Sequence, residues 1–152
     1  MPGCMALLQE ILMLHPSDAK LMKLEFLKDI NTYNDHVMRL YDFDKQEAIR
    51  FRHEVQQFML TSPHIELELG SLDFITEVNC SLTLRISAED TGITTDDQTH
   101  FVCDLKMESY AKIILMTEPF CLGKTKGHHW LYDLDNPIGF LLSPHGEWEL
   151  PE

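Results

Sequence analysis

Residues 127–137, GHHWLYDLDNP, hold the densest set of chemically capable side chains in this 152-residue sequence. His128 and His129 stand close to the carboxylates Asp133 and Asp135 and to the rings of Trp130 and Tyr132. Histidine changes charge near neutral pH. One of the pair beside Asp133 or Asp135 therefore has the makings of a general base or metal ligand in a metal-dependent, hydrolase-like enzyme. The spacing works against that role. Neighbouring residues of a strand point to opposite faces, so one histidine at most shares a side with a given carboxylate. Catalytic zinc takes three protein ligands, and the sequence has no His-Glu-x-x-His pair. The plainer expectation is a strand with Trp130, Tyr132 and Leu134 inward and the Asp side chains in water. No catalytic residue, metal or cofactor is expected.

Loop 88–100 gathers Glu89, Asp90, Asp96 and Asp97, and carboxylate oxygens are what hard cations prefer. An EF-hand loop places acids or Asn at its first, third and fifth positions and Gly at its sixth. Here Asp90 is followed by Thr91, Gly92, Ile93 and Thr94, so a solvated loop is the better reading, its acids available to a basic partner. Gly123-Lys124-Thr125 ends like a phosphate-binding loop, but the preceding EPFCL lacks the required glycine. Cys121 has Lys124 and Lys126 nearby, and positive charge favours a thiolate, although such a cysteine is more often simply packed. Cys4, Cys80, Cys103 and Cys121 are widely and irregularly spaced, with no Cys-x-x-Cys, and no Gly-x-Ser-x-Gly elbow occurs. Free thiols in a reducing, cytoplasmic setting are expected.

Charge is distributed unevenly. Of a net charge of −13, residues 1–60 carry 7 Lys/Arg against 9 Asp/Glu, and residues 61–152 carry 5 against 16. Phosphate contacts want Lys or Arg, so nucleic acid and anionic membrane are disfavoured as partners and a basic protein is favoured. Arg50, Arg52 and His53 cluster, but on a helix interleaved with acids, where surface pairing is expected. The leading expectation is a small acidic binding module, an immunity or inhibitor protein that neutralises a basic toxin or enzyme by occluding its active site. The partner-binding candidates are Trp130, Tyr132, Asp133, Asp135 and Trp148, with Asp90, Asp96 and Asp97 behind them. Two other readings are a mimic of nucleic acid, which needs a denser carboxylate array, and acidity that serves solubility alone.

The elements that must position these groups follow from length and periodicity. A chain of this size buries roughly 70% of its unfolded surface and reads as one globular domain, 1–152, helical over 1–60 and strand-rich over 61–152. The opening MPGCMALLQEILMLHP has no basic residue ahead of its apolar stretch and is interrupted by Glu10, unlike a secretory signal. No stretch approaches the ~20 apolar residues that span a bilayer. Met5–Leu14 suggests a first helix, and Leu21, Leu24, Phe26, Leu27, Ile30 and Tyr33 a second, capped by Ser17 or Asp18. Asp44 three residues before Glu47 makes a capping box for a third helix, with Ala48, Phe51, Val55 and Phe58 on one stripe.

After Thr61-Ser62-Pro63 the period changes to two. Ile65, Leu67 and Leu69 alternate with Glu66 and Glu68, and Cys80–Ile86 and Phe101–Leu105 form a hairpin with a long connection. Residues 111–120 read as either a further strand or a short buried helix, with the Ile-Ile core and Pro119 favouring strand, and 129–134 with 138–142 as a final hairpin turning at Asp135-Asn136-Pro137. The expected fold is α+β, with N-terminal helices packed on one face of a mainly antiparallel sheet of about five or six strands. Replacing Asp133 and Asp135 together with Asn is expected to slow association with the basic partner while costing only ~0.2–1 kcal/mol of stability per exposed group. Stopped-flow binding and chemical denaturation of the double variant check the two halves of that statement. Unchanged association would remove this face from the interface.

Overall fold

Met22, Leu24 and Phe26 are buried while Lys23, Glu25 and Leu27 between them are half-buried, the signature of an extended strand with one side against a core. The structure is a computed structural model and describes residues 21–29, 35–61, 65–123, 127–132 and 138–145. In it these residues form β1 (Met22–Leu27), which pairs antiparallel with β2 (His36–Tyr41), Leu24 opposite Leu40. Helix α1 (Lys45–Leu60) follows, its Asp44 N–H donating to Glu47 Oε1 at 2.8 Å in a capping box. Next come β3 (Leu67–Glu68), a single 3-10 turn (Leu69–Ser71), β4 (Ile75–Glu77), β5 (Ser81–Ile86), β6 (Gly92–Thr95) and β7 (His100–Leu105). Helix α2 (Met107–Cys121) and the strands β8 (His129–Tyr132) and β9 (Ile138–Ser143) complete the described elements.

The strands make two sheets, one of five in the order β4-β1-β2-β9-β8 and one of four in the order β3-β5-β7-β6. Both are mixed. The pairs β1–β4, β2–β9 and β5–β7 are parallel, and the remaining neighbours are antiparallel. Sequence-distant strands are thereby brought side by side, so β9 lies against β2 with Met38 opposite Phe140. Asn79 extends the ladder beyond β4. Its amide accepts from the Phe26 N–H and donates to the Phe26 carbonyl, both at 2.9 Å, as a peptide group would.

The class is α+β, but its arrangement corrects the sequence reading. The described helices are not N-terminal: the expected second helix contains β1, with β2 behind it, and both belong to the stretch read as helical. LMKLEFL (21–27) satisfies helical spacing through Leu21, Leu24 and Leu27, yet its stronger signal is the alternation of Met22, Leu24 and Phe26. The sheets are mixed, not mainly antiparallel. β5 and β7 do not make the expected hairpin but run parallel, because the presumed loop contains β6, which pairs antiparallel with β7. Ile93, Thr94 and Thr95 are β-branched and suit that pleated edge, and Gly92 enters it at φ +89°. The expected strand at 111–120 is helix. It begins earlier, at Met107, and buries Tyr110, Ile113, Ile114, Thr117 and Phe120 at helical spacing, with Pro119 in its last turn. Of the alternating run 65–69, only Leu67–Glu68 is strand. The expected first helix, 5–14, lies outside the described residues.

One core unites these parts. Met22, Leu24, Phe26, Met38, Leu40 and Phe140 from the larger sheet meet Leu82, Leu84, Phe101 and Cys103 from the smaller, all buried. Phe26 and Phe101 join the two with ring centroids 4.5 Å apart. The helices complete it through Phe58 against Tyr110 and Phe43 against Phe120, both edge-on. Each such side chain contributes ~1.5–3 kcal/mol when taken from water. A smaller cluster on the other face of the five-stranded sheet contains Val37, Leu141, Leu27 and Trp130. There Arg39 is buried, donates to Glu25 Oε1 at 2.6 Å and lies 3.9 Å over the Tyr41 ring. Arg50 of α1 pairs with the exposed Asp73 and covers the Phe74 ring at 4.5 Å, and Arg52 is buried.

Tyr110 ties α2 to the smaller sheet. Its hydroxyl accepts from the Arg85 N–H at 3.1 Å and has the carbonyls of Arg85 and Cys103 each at 2.8 Å for its single proton. Burial pushes its pKa up, so it remains a donor. Tyr110→Phe is expected to cost about 1–3 kcal/mol by stranding these backbone groups. A lowered urea midpoint with an unchanged slope is the reading that checks it, and an unshifted midpoint would count against the role.

Candidate functional site

The inward residues of β5 and β7, Leu82, Leu84, Phe101, Cys103 and Leu105, require that their neighbours face out. Across that outer face the registers align Glu68, Thr83, Val102 and Thr94 in one row and set Arg85 opposite Asp104 in another. Small polar side chains dominate it. Arg85 forks onto Asp104, Nε to Oδ1 at 2.8 Å and Nη2 to Oδ2 at 2.7 Å, with Glu66 at 4.0 Å. The hydrogen bond to Asp104 raises the arginine pKa further. The cation is thus committed within the face. No ion pair among the described residues engages Glu68, Glu77 or Asp96.

At one end of this face, where it meets the 3-10 turn and β4, lies a cleft of about 420 Å³. Glu68, Ser71, Glu77, Ser81, Thr83 and His100 give it its chemistry. Gly70 lies beside it. A Cβ at this position would collide with the Glu77 carboxylate, which closes over the bare backbone. His100 stands exposed at the start of β7, its Nδ1 2.8 Å from Asp97 Oδ2. Asp97 also accepts from the Thr99 and His100 N–H groups at 2.9 and 2.8 Å. The His100 backbone and side-chain hydrogen bonds lead the causes that hold its carboxyl well below the usual range. Asp97 thus shapes the β6–β7 turn and sets His100 in place.

The sequence-predicted candidates fall in separate places. Asp96 and Asp97 sit together in the β6–β7 turn, both exposed. Asp90 turns instead to α2, where its Oδ1 accepts from the Lys106 N–H and the Ser109 hydroxyl, both at 2.8 Å. It therefore caps that helix from another segment, since Lys106 at the N-cap supplies no acceptor of its own. Burial alone would raise its pKa, but these hydrogen bonds and the nearby Lys106 and Lys112 outweigh it and hold the group low.

Trp130 and Tyr132 belong to β8, on the edge of the other sheet. The Trp130 ring lies over Gly139, at a position where a Cβ would come within 2.6 Å of it, rather than in the main core. His129 packs edge-on against Phe120 with centroids 5.3 Å apart, and His128 is exposed. Asp133, Asp135 and Trp148 lie outside the described residues, as do Lys124 and Lys126. Cys121 is buried, and burial pushes the Cys80 and Cys103 thiols up to about 12. Among the described residues no three His, Cys, Asp or Glu side chains gather to hold a metal ion. Nor is any described helix long and apolar enough to cross a membrane.

Sequence reasoning did not single out Glu68, Glu77 and His100. The alternation of Glu66 and Glu68 was a signal for outward carboxylates, whereas the approach of Glu77 to Gly70 depends on tertiary structure. Compared with protein families, curated proteins and solved structures, the chain matches none.

Asp90→Ala is expected to cost about 0.5–2 kcal/mol, the value of a helix cap. Because its folded pKa lies below the unfolded one, that contribution is present above the unfolded value near 4 and is lost as pH falls through the folded value. Denaturation of wild type and variant at pH 7 and at pH 2–3 checks it (about 4 units apart), with the gap narrowing in acid. A gap independent of pH would assign the loss to packing.

Proposed function

We propose that this protein is an acidic binding module that neutralises a basic toxin or enzyme by lying across its active site. The observation that carries the reading is the outer face of the four-stranded sheet. Glu66, Glu68, Glu77, Asp96 and Asp97 stand on or beside it, and its cation, Arg85, is held by Asp104. Exposed carboxylates of this kind add little to stability, so their effect is on partners. Like charges gathered on a rigid surface steer an oppositely charged protein into encounter and raise association rates by about 10- to 1,000-fold. Once docked, charge-assisted hydrogen bonds to the partner's Lys and Arg hold it over the residues that act on substrate. Trp130, Tyr132, Asp133, Asp135 and Trp148 are proposed as a second contact region, where the aromatic rings supply anchor area.

The test takes a cationic protein captured from the cells that make this chain, purifies it and measures association by stopped flow. Association should slow at least about tenfold between roughly 50 and 300 mM salt. The variant Glu66→Gln/Glu68→Gln/Asp96→Asn should show a similar loss at low salt with an unchanged unfolding midpoint. The captured protein's own activity should disappear in the complex. Association indifferent to salt, or a partner that stays active when bound, would overturn the reading.

A further inference from the structure

We infer that the cleft beside the 3-10 turn receives one arginine side chain of the partner. This rests on the reading of the protein as an acidic binding module and names what that surface grips. At about 420 Å³ the cleft falls within the span of small-ligand sites, roughly 300–1,000 Å³, and has room for a single extended side chain. Its lining supplies both acceptors and apolar surface. Glu68 and Glu77 bring two carboxylates, and Ser71, Ser81 and Thr83 bring hydroxyls. Ser71 donates its proton to the Glu68 carbonyl at 2.7 Å, which leaves its lone pairs to accept. Val102 also lines it and offers apolar surface to a methylene stem.

Two further features suit a cation. The Glu77 carboxylate lies over the bare backbone of Gly70 and is in no ion pair among the described residues, so its charge is available to a cation. His100, which also lines the cleft, has the Asp97 carboxylate 2.8 Å from its Nδ1, so a further negative group stands nearby. A guanidinium carries five donors in a planar fork and an ammonium three on a point charge. Two carboxylates and three hydroxyls match the former better.

Agmatine, a guanidinium on a four-carbon stem, is the probe, titrated into the isotopically labelled protein at constant ionic strength and followed by amide chemical shifts. Saturable shifts are expected at Ser71, Glu77, Thr83 and His100. They should weaken at least about tenfold in apparent affinity in Glu68→Gln/Glu77→Gln, whose own spectrum reports that it is folded. Butylamine, with the same stem and an ammonium, should bind more weakly. Absent or non-saturating shifts, shifts that persist in the double variant, or equal binding of butylamine would each overturn the pocket. A nona-arginine peptide separates this from the wider proposal. If it binds the outer face while agmatine leaves the cleft untouched, the acidic surface stands and the pocket falls. If neither binds, both fall.

Discussion

The register between β5 and β7 ties the interior of this protein to its surface. Leu82 faces the core beside Phe101, and Leu84 beside Cys103, so Thr83 and Val102 are obliged to face water together. A slip of one residue would drive Arg85 and Asp104 toward the apolar interior and expose the leucines. The fork between that arginine and aspartate, directly opposite each other across the pair, holds the alignment from outside while Phe26 against Phe101 holds it from within. The candidate site is therefore the other side of the core: the residues that bury the sheet also decide which ones it presents.

What could be read along the chain depended on how local the determining contacts were. α1 was legible because its signals are its own, with Asp44 and Glu47 at the start, an apolar stripe through Ala48, Phe51, Val55 and Phe58, and Thr61 at the end. The final pair of strands was legible for the same reason, and β8 and β9 do pair antiparallel. β2 gave no periodic signal because it is buried on both faces, Val37 through Leu40 in succession. α2 was misread because its cap, Asp90, comes from before β6, and a window opened at residue 111 omits the first turn. The acidic bias of the strand-rich part was visible from composition and outward Glu68 from its alternation, whereas helix-capping Asp90, turn-forming Asp97 and the place of Glu77 were not. Those roles are set by which backbone donors each carboxylate meets, and the sequence does not state them.

The handling of charge inside the molecule contrasts with that outside. Arg39 is buried, yet it sits between the Glu25 carboxylate and the face of Tyr41, each opposite charge or ring replacing part of the lost water. Glu47 is buried as well and uses one oxygen to receive the N–H that opens α1. On and beside the outer face of the four-stranded sheet the balance is left unsettled in one direction, with Glu68 and Glu77 outside any ion pair among the described residues.

The indole lying over Gly139 also constrains how this chain can diverge. Position 139 tolerates no side chain while Trp130 covers it, and removing the ring would uncover backbone in the middle of a strand where glycine is a poor choice. The two positions are thus expected to change as a pair: descendants that trade the tryptophan for a smaller residue gain by acquiring a β-branched residue at 139. Such paired exchange, followed across a lineage, would trace the history of the β8 edge by itself.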